Sequence, residues 1–247
     1  MRQKEKIIIA ADVDHLAARG ADMFLHTVAA SVEMSGRFIG AISGGNTPRE
    51  MHRLLAREPY RSALPWKAVH LFWVDERMVS YEHPTSNYGA AQVDFLENVP
   101  IPREQIHPMP FQMEPEEGAA WYEEKLKKIF KGFSENRPIF DLVFLGIGED
   151  GHTASLFPEK VEPSESDQWV LSVRGGVPNL FRLTLNYTVL NSARHVCFLI
   201  SGRPKARVIR TILERGRAIL PAARIMPKNG KLTWLLDREA AVLLPQE

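Results

Sequence analysis

The chain has 247 residues, 45% of them hydrophobic and 25% charged, an ordinary balance for a globular protein. Its 31 Lys and Arg nearly cancel its 30 Asp and Glu, so the formal charge of +1 gives no electrostatic reason to expect nucleic acid or an anionic membrane as a partner. A single cysteine, Cys197, excludes an internal disulfide.

The N-terminal stretch MRQKEKIIIAADVDH is basic and then briefly apolar; its apolar run is too short for a signal-peptide core, and Asp12 and Asp14 follow at once. No run approaches the roughly 20 apolar residues of a membrane span, so a cytoplasmic protein is expected. Residues 7–10 predict a first strand. Asp12 or Asp14 then caps a helix to about Met34, with Leu16, Met23, Phe24 and Val28 on one side. RFIGAIS, 37–43, is a strand, and Thr47 as N-cap with Pro48 in the first turn opens the next helix. VHLFWV, 69–74, is a strand and 86–98 a helix. Pro115 starts a helix, PEEGAAWYEEKLKKIF, whose acids lie early and lysines late, as its dipole prefers. Residues 140–145 are a strand, and 169–173 and 180–185 are strands of an antiparallel excursion. The strand 195–200 lies in HVCFLIS, where Cys197 reads as a small buried hydrophobe; a catalytic thiolate is the lesser alternative, with only His195 near enough to activate it. A helix at 204–215, a strand at 232–236 and a short C-terminal helix complete the pattern.

Near-continuous apolar strands alternating with helices predict an α/β fold, doubly wound, with a mostly parallel central sheet, helices on both faces and a small antiparallel excursion. Without a repeat or a low-complexity linker, residues 1–247 read as one domain, with 100–110 and 159–167 as loops within it.

In such a sheet ligands bind beyond the carboxyl ends of the strands. Four strand ends carry suggestive chemistry. SGGNTP combines a Gly-Gly turn with a helix start; it is either a plain turn or an anion cradle of bare N–H groups. In VDERMV, Asp75, Glu76 and Arg77 are either a surface ion-pair cluster or a site in which the Arg77 fork holds an anionic or carbonyl oxygen. GIGEDGH sets Asp150 and His152 two residues apart, so that the carboxylate can orient the imidazole as a general base; a metal is the rival idea, but no second His or Cys motif supports one. Arg182 in FRLTL and Lys205 in GRPKA are either exposed charges or, together with SGGNTP, a phosphate clamp.

Taken in order, SGGNTP, VDERMV with the later SNYG, GIGEDGHTASLFP, RLTL and GRPKA resemble the 6-phosphogluconolactonase family, which shares a superfamily with the glucosamine-6-phosphate deaminases. The resemblance runs over nearly the whole chain, and its GEDGHTASLFP segment is the most specific. It implies hydrolysis of a small phosphorylated sugar lactone, 6-phospho-D-glucono-1,5-lactone, to 6-phosphogluconate in the pentose phosphate pathway, without metal or organic cofactor. By matching position it implies His152 as the base, Asp150 as its neighbour, and Arg77 as a substrate contact. Ser43, Gly44, Gly45, Asn46, Thr47, Arg182 and Lys205 become the phosphate pocket, and Asp75 and Glu76 support Arg77 or touch substrate. Asn46 departs from the family, which more often has serine there.

Two relatives are the rival readings. The deaminases add a glutamate five residues after the histidine, where this chain has Phe157, and tend to tyrosine at Arg77; their proton-shuttling aspartate corresponds to Asp75 and does not discriminate. Sugar-phosphate sensors of this fold carry a DNA-binding domain, and no basic recognition helix precedes residue 7.

Overall fold

The computed structural model describes residues 5–131, 137–158, 167–215 and 220–245. The apolar runs form the strands. They are β1 (Glu5–Ala10), β2 (Phe38–Ile42), β3 (Val69–Trp73), β4 (Asp75–Arg77), β5 (Ile106–His107), β6 (Leu142–Leu145), β7 (Val170–Gly175), β8 (Leu180–Leu185), β9 (His195–Ile200) and β10 (Lys231–Asp237). Seven of them make one sheet in the order β1-β10-β9-β6-β2-β3-β5. Every neighbouring pair in it is parallel. A second, antiparallel sheet has the order β4-β8-β7.

The continuous apolar strands are explained by two cores. Along β6, Leu142 and Phe144 join one buried cluster while Val143 and Leu145 join the other, because successive side chains point to opposite faces. One cluster packs beneath Leu16, Phe24 and Val28 of helix Val13–Ser35 and Met51 and Leu55 of helix Asn46–Leu55. The other packs beneath Tyr122, Leu126 and Phe130 of helix Pro115–Phe130. Each large apolar side chain buried in this way stabilises the fold by about 1.5–3 kcal/mol. Phe144 is 1% exposed in the central strand, and its truncation to Ala costs about 3–5 kcal/mol.

Strand order also sets the location of the crevice. From β2 the chain steps outward to β3 and β5, then returns to β6 and steps the other way to β9 and β10. The order reverses between β2 and β6, and a doubly wound sheet opens a crevice outside the carboxyl ends of the strands at such a point.

Some local expectations are corrected. Asp12, not Asp14, caps the first helix, accepting from His15 N at 2.9 Å. Thr47 is not an N-cap: that helix begins at Asn46 after Gly45, and the Thr47 hydroxyl bonds the Ser201 hydroxyl at 2.8 Å instead. The 100–110 segment is not wholly loop, since Ile106–His107 adds an edge strand to β3. The helix expected over 86–98 is an α-helix only over Asn87–Asp94, followed by a 3₁₀ turn at Leu96–Asn98. Of the 159–167 loop, all but Asp167 lies outside the described residues.

Candidate active site

The loop after β6 folds back on itself. Gly148 N donates to His152 O at 2.8 Å, and Thr153 Oγ1 donates to Gly146 O at 2.8 Å. A β-carbon at Gly148 would overlap both the His152 ring and the Asp150 carboxylate, so this turn requires glycine there. The result is a tight pair, His152 Nδ1 to Asp150 Oδ1 at 2.6 Å, with the same carboxylate oxygen accepting His152 N at 3.1 Å. The side chains are 33% and 52% exposed, so both reach solvent. Burial alone would raise the Asp150 carboxyl, but the His152 amide, the His152 charge and the ring hydrogen bond hold it below its ordinary value. The Phe157 ring lies 5.0 Å from the imidazole.

The VDER segment after β3 is not the surface cluster that its composition allows. Asp75 is 6% and Glu76 1% exposed. Both belong to β4, which pairs with β8 and places Asp75 opposite Thr184 and Arg77 opposite Arg182. Period two sends Asp75 and Arg77 to one face and Glu76 to the other. Glu76 accepts from four donors: Arg77 N at 2.8 Å, Asn87 N at 2.8 Å, Tyr88 N at 2.7 Å and Ser86 Oγ at 3.1 Å. Burial pushes its carboxyl up to about 7; the three backbone N–H groups pull the other way and only partly offset that. This carboxylate anchors the start of helix Asn87–Asp94 to the strand that carries Arg77.

Asp75 has a different set of partners. Its Oδ2 accepts the Ser155 hydroxyl at 2.6 Å, tying β4 to the His152 loop. Asn87 Nδ2 donates to Asp75 O at 2.8 Å and lies 3.3 Å from Asp75 Oδ1. Ser155 N in turn donates to Thr184 Oγ1 at 3.2 Å.

Arg77 and Arg182 place two guanidinium groups on directly opposed strand positions, where like charges repel. Arg77 donates to Thr85 O at 2.6 Å, while its Nε is buried without a partner. Arg182, 5% exposed, donates from Nε to Gly175 O at 3.0 Å and lies over the Phe157 ring at 5.7 Å. Burial first, then the neighbouring Arg77 charge, pulls its pKa below the ordinary value, yet an arginine stays charged at neutral pH. The pair is a concentrated positive charge with spare donors, suited to an anionic or strongly polarised oxygen.

Ser43, Gly44, Gly45, Asn46 and Thr47 follow β2, and Lys205 follows β9 in the short turn Arg203–Lys205. Ser43 is buried, while Gly45 and Asn46 are exposed. The first-turn amides of helix Asn46–Leu55 have no carbonyl within that helix to bond. Thr47 joins this loop to Ser201, at the end of β9. Gly202 N is fixed by Asp237 at 3.0 Å, and no described residue pairs with the half-buried Lys205 ammonium. Ser43–Thr47, Asp150, His152 and Lys205 therefore follow the adjacent strands β2, β6 and β9 of the large sheet, whereas Asp75, Glu76 and Arg77 on β4 and Arg182 on β8 belong to the second sheet.

The sequence reading missed the linking residues Asn87, Ser155 and Thr184. The signal lay in small polar residues within or beside the motifs, which are all buried here. Among the described residues no three His, Cys, Asp or Glu side chains gather as a metal-ligand set. None of the described helices is long and apolar enough to cross a membrane. Cys197 is fully buried, and burial pushes its thiol up. A hollow of about 580 Å³ between Arg53, Arg57, Arg61, Asp94 and Glu97 involves none of the strand-end residues, and Arg53 in it pairs with Asp94 at 3.2 Å.

Residues 11–234 match the family described as glucosamine-6-phosphate isomerases/6-phosphogluconolactonase. The chain is 42% identical over 204 residues to a 6-phosphogluconolactonase of Synechocystis, covering 81% of this chain and 82% of that one. It is 35% identical over 244 residues to one of Nostoc, covering 98% and 99%. Among solved structures, the 6-phosphogluconolactonase of Trypanosoma cruzi superposes with a TM-score of 0.86 at 27% identity, covering 100% of this chain and 99% of that one. A monomeric glucosamine-6-phosphate deaminase shares the fold, with a TM-score of 0.81 at 21% identity over 96% and 99% of the chains. A doubly wound sheet with the strand-end motifs in this order, matched along nearly its whole length, places the chain in the glucosamine-6-phosphate isomerase/6-phosphogluconolactonase family.

Proposed function

We propose that this chain is a 6-phosphogluconolactonase, opening 6-phospho-D-glucono-1,5-lactone to 6-phosphogluconate. The observation that carries the reading is the Asp150–His152 pair at the carboxyl end of the central strand. With Nδ1–H donated to Asp150, the imidazole is held in the tautomer whose Nε2 can accept a proton. A lactone is an activated ester, so one base and one water suffice, with neither a covalent nucleophile nor a cofactor required. His152 takes a proton from water and the resulting hydroxide oxygen bonds to the lactone carbonyl carbon. The oxyanion then collapses, the ring C–O bond breaks, and the imidazolium returns its proton to the departing ring oxygen. Arg77 or the bare N–H groups of the glycine loops donate to the developing oxyanion, and the 43–47 loop, Arg182 and Lys205 take the phosphate. Holding the remote phosphate orients the reacting carbonyl.

The relatives named 6-phosphogluconolactonase support this reading. So does Phe157, an apolar ring with no proton to shuttle, which lies against His152 where the deaminase pattern has an acid. Pairing of β1 with β10 supports treating residues 1–247 as one domain, and a single, buried, free cysteine fits the reducing compartment of a cytoplasmic enzyme. The test is the rate of 6-phosphogluconolactone opening by purified protein above spontaneous hydrolysis, with glucosamine 6-phosphate deamination run beside it. Fast opening without ammonia release is the expected outcome. Ammonia release without lactone opening would make the chain a deaminase.

A further inference from the structure

Nothing in the reaction as proposed requires Asn87, yet it lies where the two halves of the site meet. Its carboxamide fills the space against Gly44 where any side chain would stand: a β-carbon at Gly44 would overlap the Asn87 Oδ1 and Cγ atoms. The other end of the same amide is held, with Nδ2 donating to Asp75 O at 2.8 Å. Asp75 then holds Ser155 at 2.6 Å, three residues beyond His152, and Ser155 N bonds Thr184, two residues from Arg182. Asn87 is 5%, Asp75 6%, and Ser155 and Thr184 0% exposed, so the series runs through the interior, where water does not compete for its bonds. The Asn87 backbone N–H is fixed separately by Glu76.

We infer that Asn87 is a positioning residue for phosphate recognition, setting the 43–47 loop in register with the Asp75–Ser155 pair that carries the His152 loop. The inference rests on the lactonase reading, with 43–47 as its phosphate side. The amide is suited to this because its carbonyl side abuts a glycine while its NH₂ bonds a main-chain carbonyl. A phosphate gripped by a loop that has shifted by an ångström no longer presents the lactone carbonyl to His152, and a misplacement of that size can cost about 10²-fold.

The test compares kcat/KM for 6-phosphogluconolactone with kcat/KM for unphosphorylated gluconolactone in the wild type, Asn87→Ala and Asn87→Asp. The ratio cancels the folded fraction. Asn87→Asp keeps the side chain's size but replaces the donor facing Asp75 with an acceptor, so it reads the same link if the alanine variant does not fold. The expected result is a preference for the phosphorylated lactone that falls by up to about 10²-fold in the variants, mostly through the phosphorylated substrate. Both rates falling by one common factor would overturn the inference, because Asn87 would then only support the fold; failure of both variants to fold would do the same. A wild type with no preference for the phosphorylated lactone would instead contradict the proposed function.

Discussion

Two strand ends of the same sheet treat their acids in opposite ways. After β6, Asp150 and His152 are paired at 2.6 Å but reach solvent. After β3, Asp75 and Glu76 are buried and accept hydrogen bonds from residues of two other segments, 86–88 and the His152 loop. Chemistry with substrate needs groups that are oriented yet reachable; holding loops in register needs groups that water cannot reach. On the proposed lactonase reading, the Asp150–His152 pair serves the reaction, while Asp75 and Glu76 hold segments together beside the substrate-facing Arg77.

That comparison can be broken first by stability. Glu76→Ala leaves three backbone N–H groups and a hydroxyl without their acceptor, and should cost about 3–5 kcal/mol in a denaturant titration. Asp150→Ala, removing a half-exposed partner, should cost no more than about 1 kcal/mol in the same titration. Equal losses would erase the distinction between the two ends. Next comes binding: Arg182→Ala and Lys205→Ala should each raise KM for the phosphorylated lactone by about 10-fold or more, with a smaller change in kcat. Unchanged KM in both would remove them from the phosphate side.

A smaller effect concerns pH. Burial pulls His52, His195 and His107 down to about 4, about 4 and about 3. Below about pH 6.5 the unfolded chain therefore binds protons on these groups that the folded chain refuses, and stability should fall as pH drops from there toward 4. Glu76, pushed up to about 7, works in the opposite sense: its contribution is complete below its ordinary value and is lost as pH rises toward 7. Three histidines against one glutamate give net acid destabilisation, measurable as a Tm that declines between pH 6.5 and pH 4. His195→Asn should flatten that decline. The smallest effect is expected at Cys197, whose buried thiol should resist alkylation in the native protein and leave activity intact.

The apolar strands were legible in the sequence because burial on both faces demands continuous hydrophobic runs; β8 and β9 occupy the predicted residues. The short strands were not. Asp-Glu-Arg has poor strand propensity, and β4 exists because β8 offers it a partner; Ile106–His107 is too short, between prolines, to show a period. Within the site, the contact between Asp150 and His152 follows from spacing along a single turn. The opposition of Arg77 and Arg182 is a long-range pairing of antiparallel strands, and the burial of Asn87 against Gly44 depends on how a helix start meets a distant loop. Local sequence encodes neither.

The most direct measurement of the central claim is the opening of 6-phosphogluconolactone by the wild type and by His152→Ala, prepared side by side and matched by Tm. The account predicts rapid opening by the wild type and a loss of about 10²–10⁴-fold in kcat in the variant, with KM little changed. A fully active His152→Ala protein would contradict it.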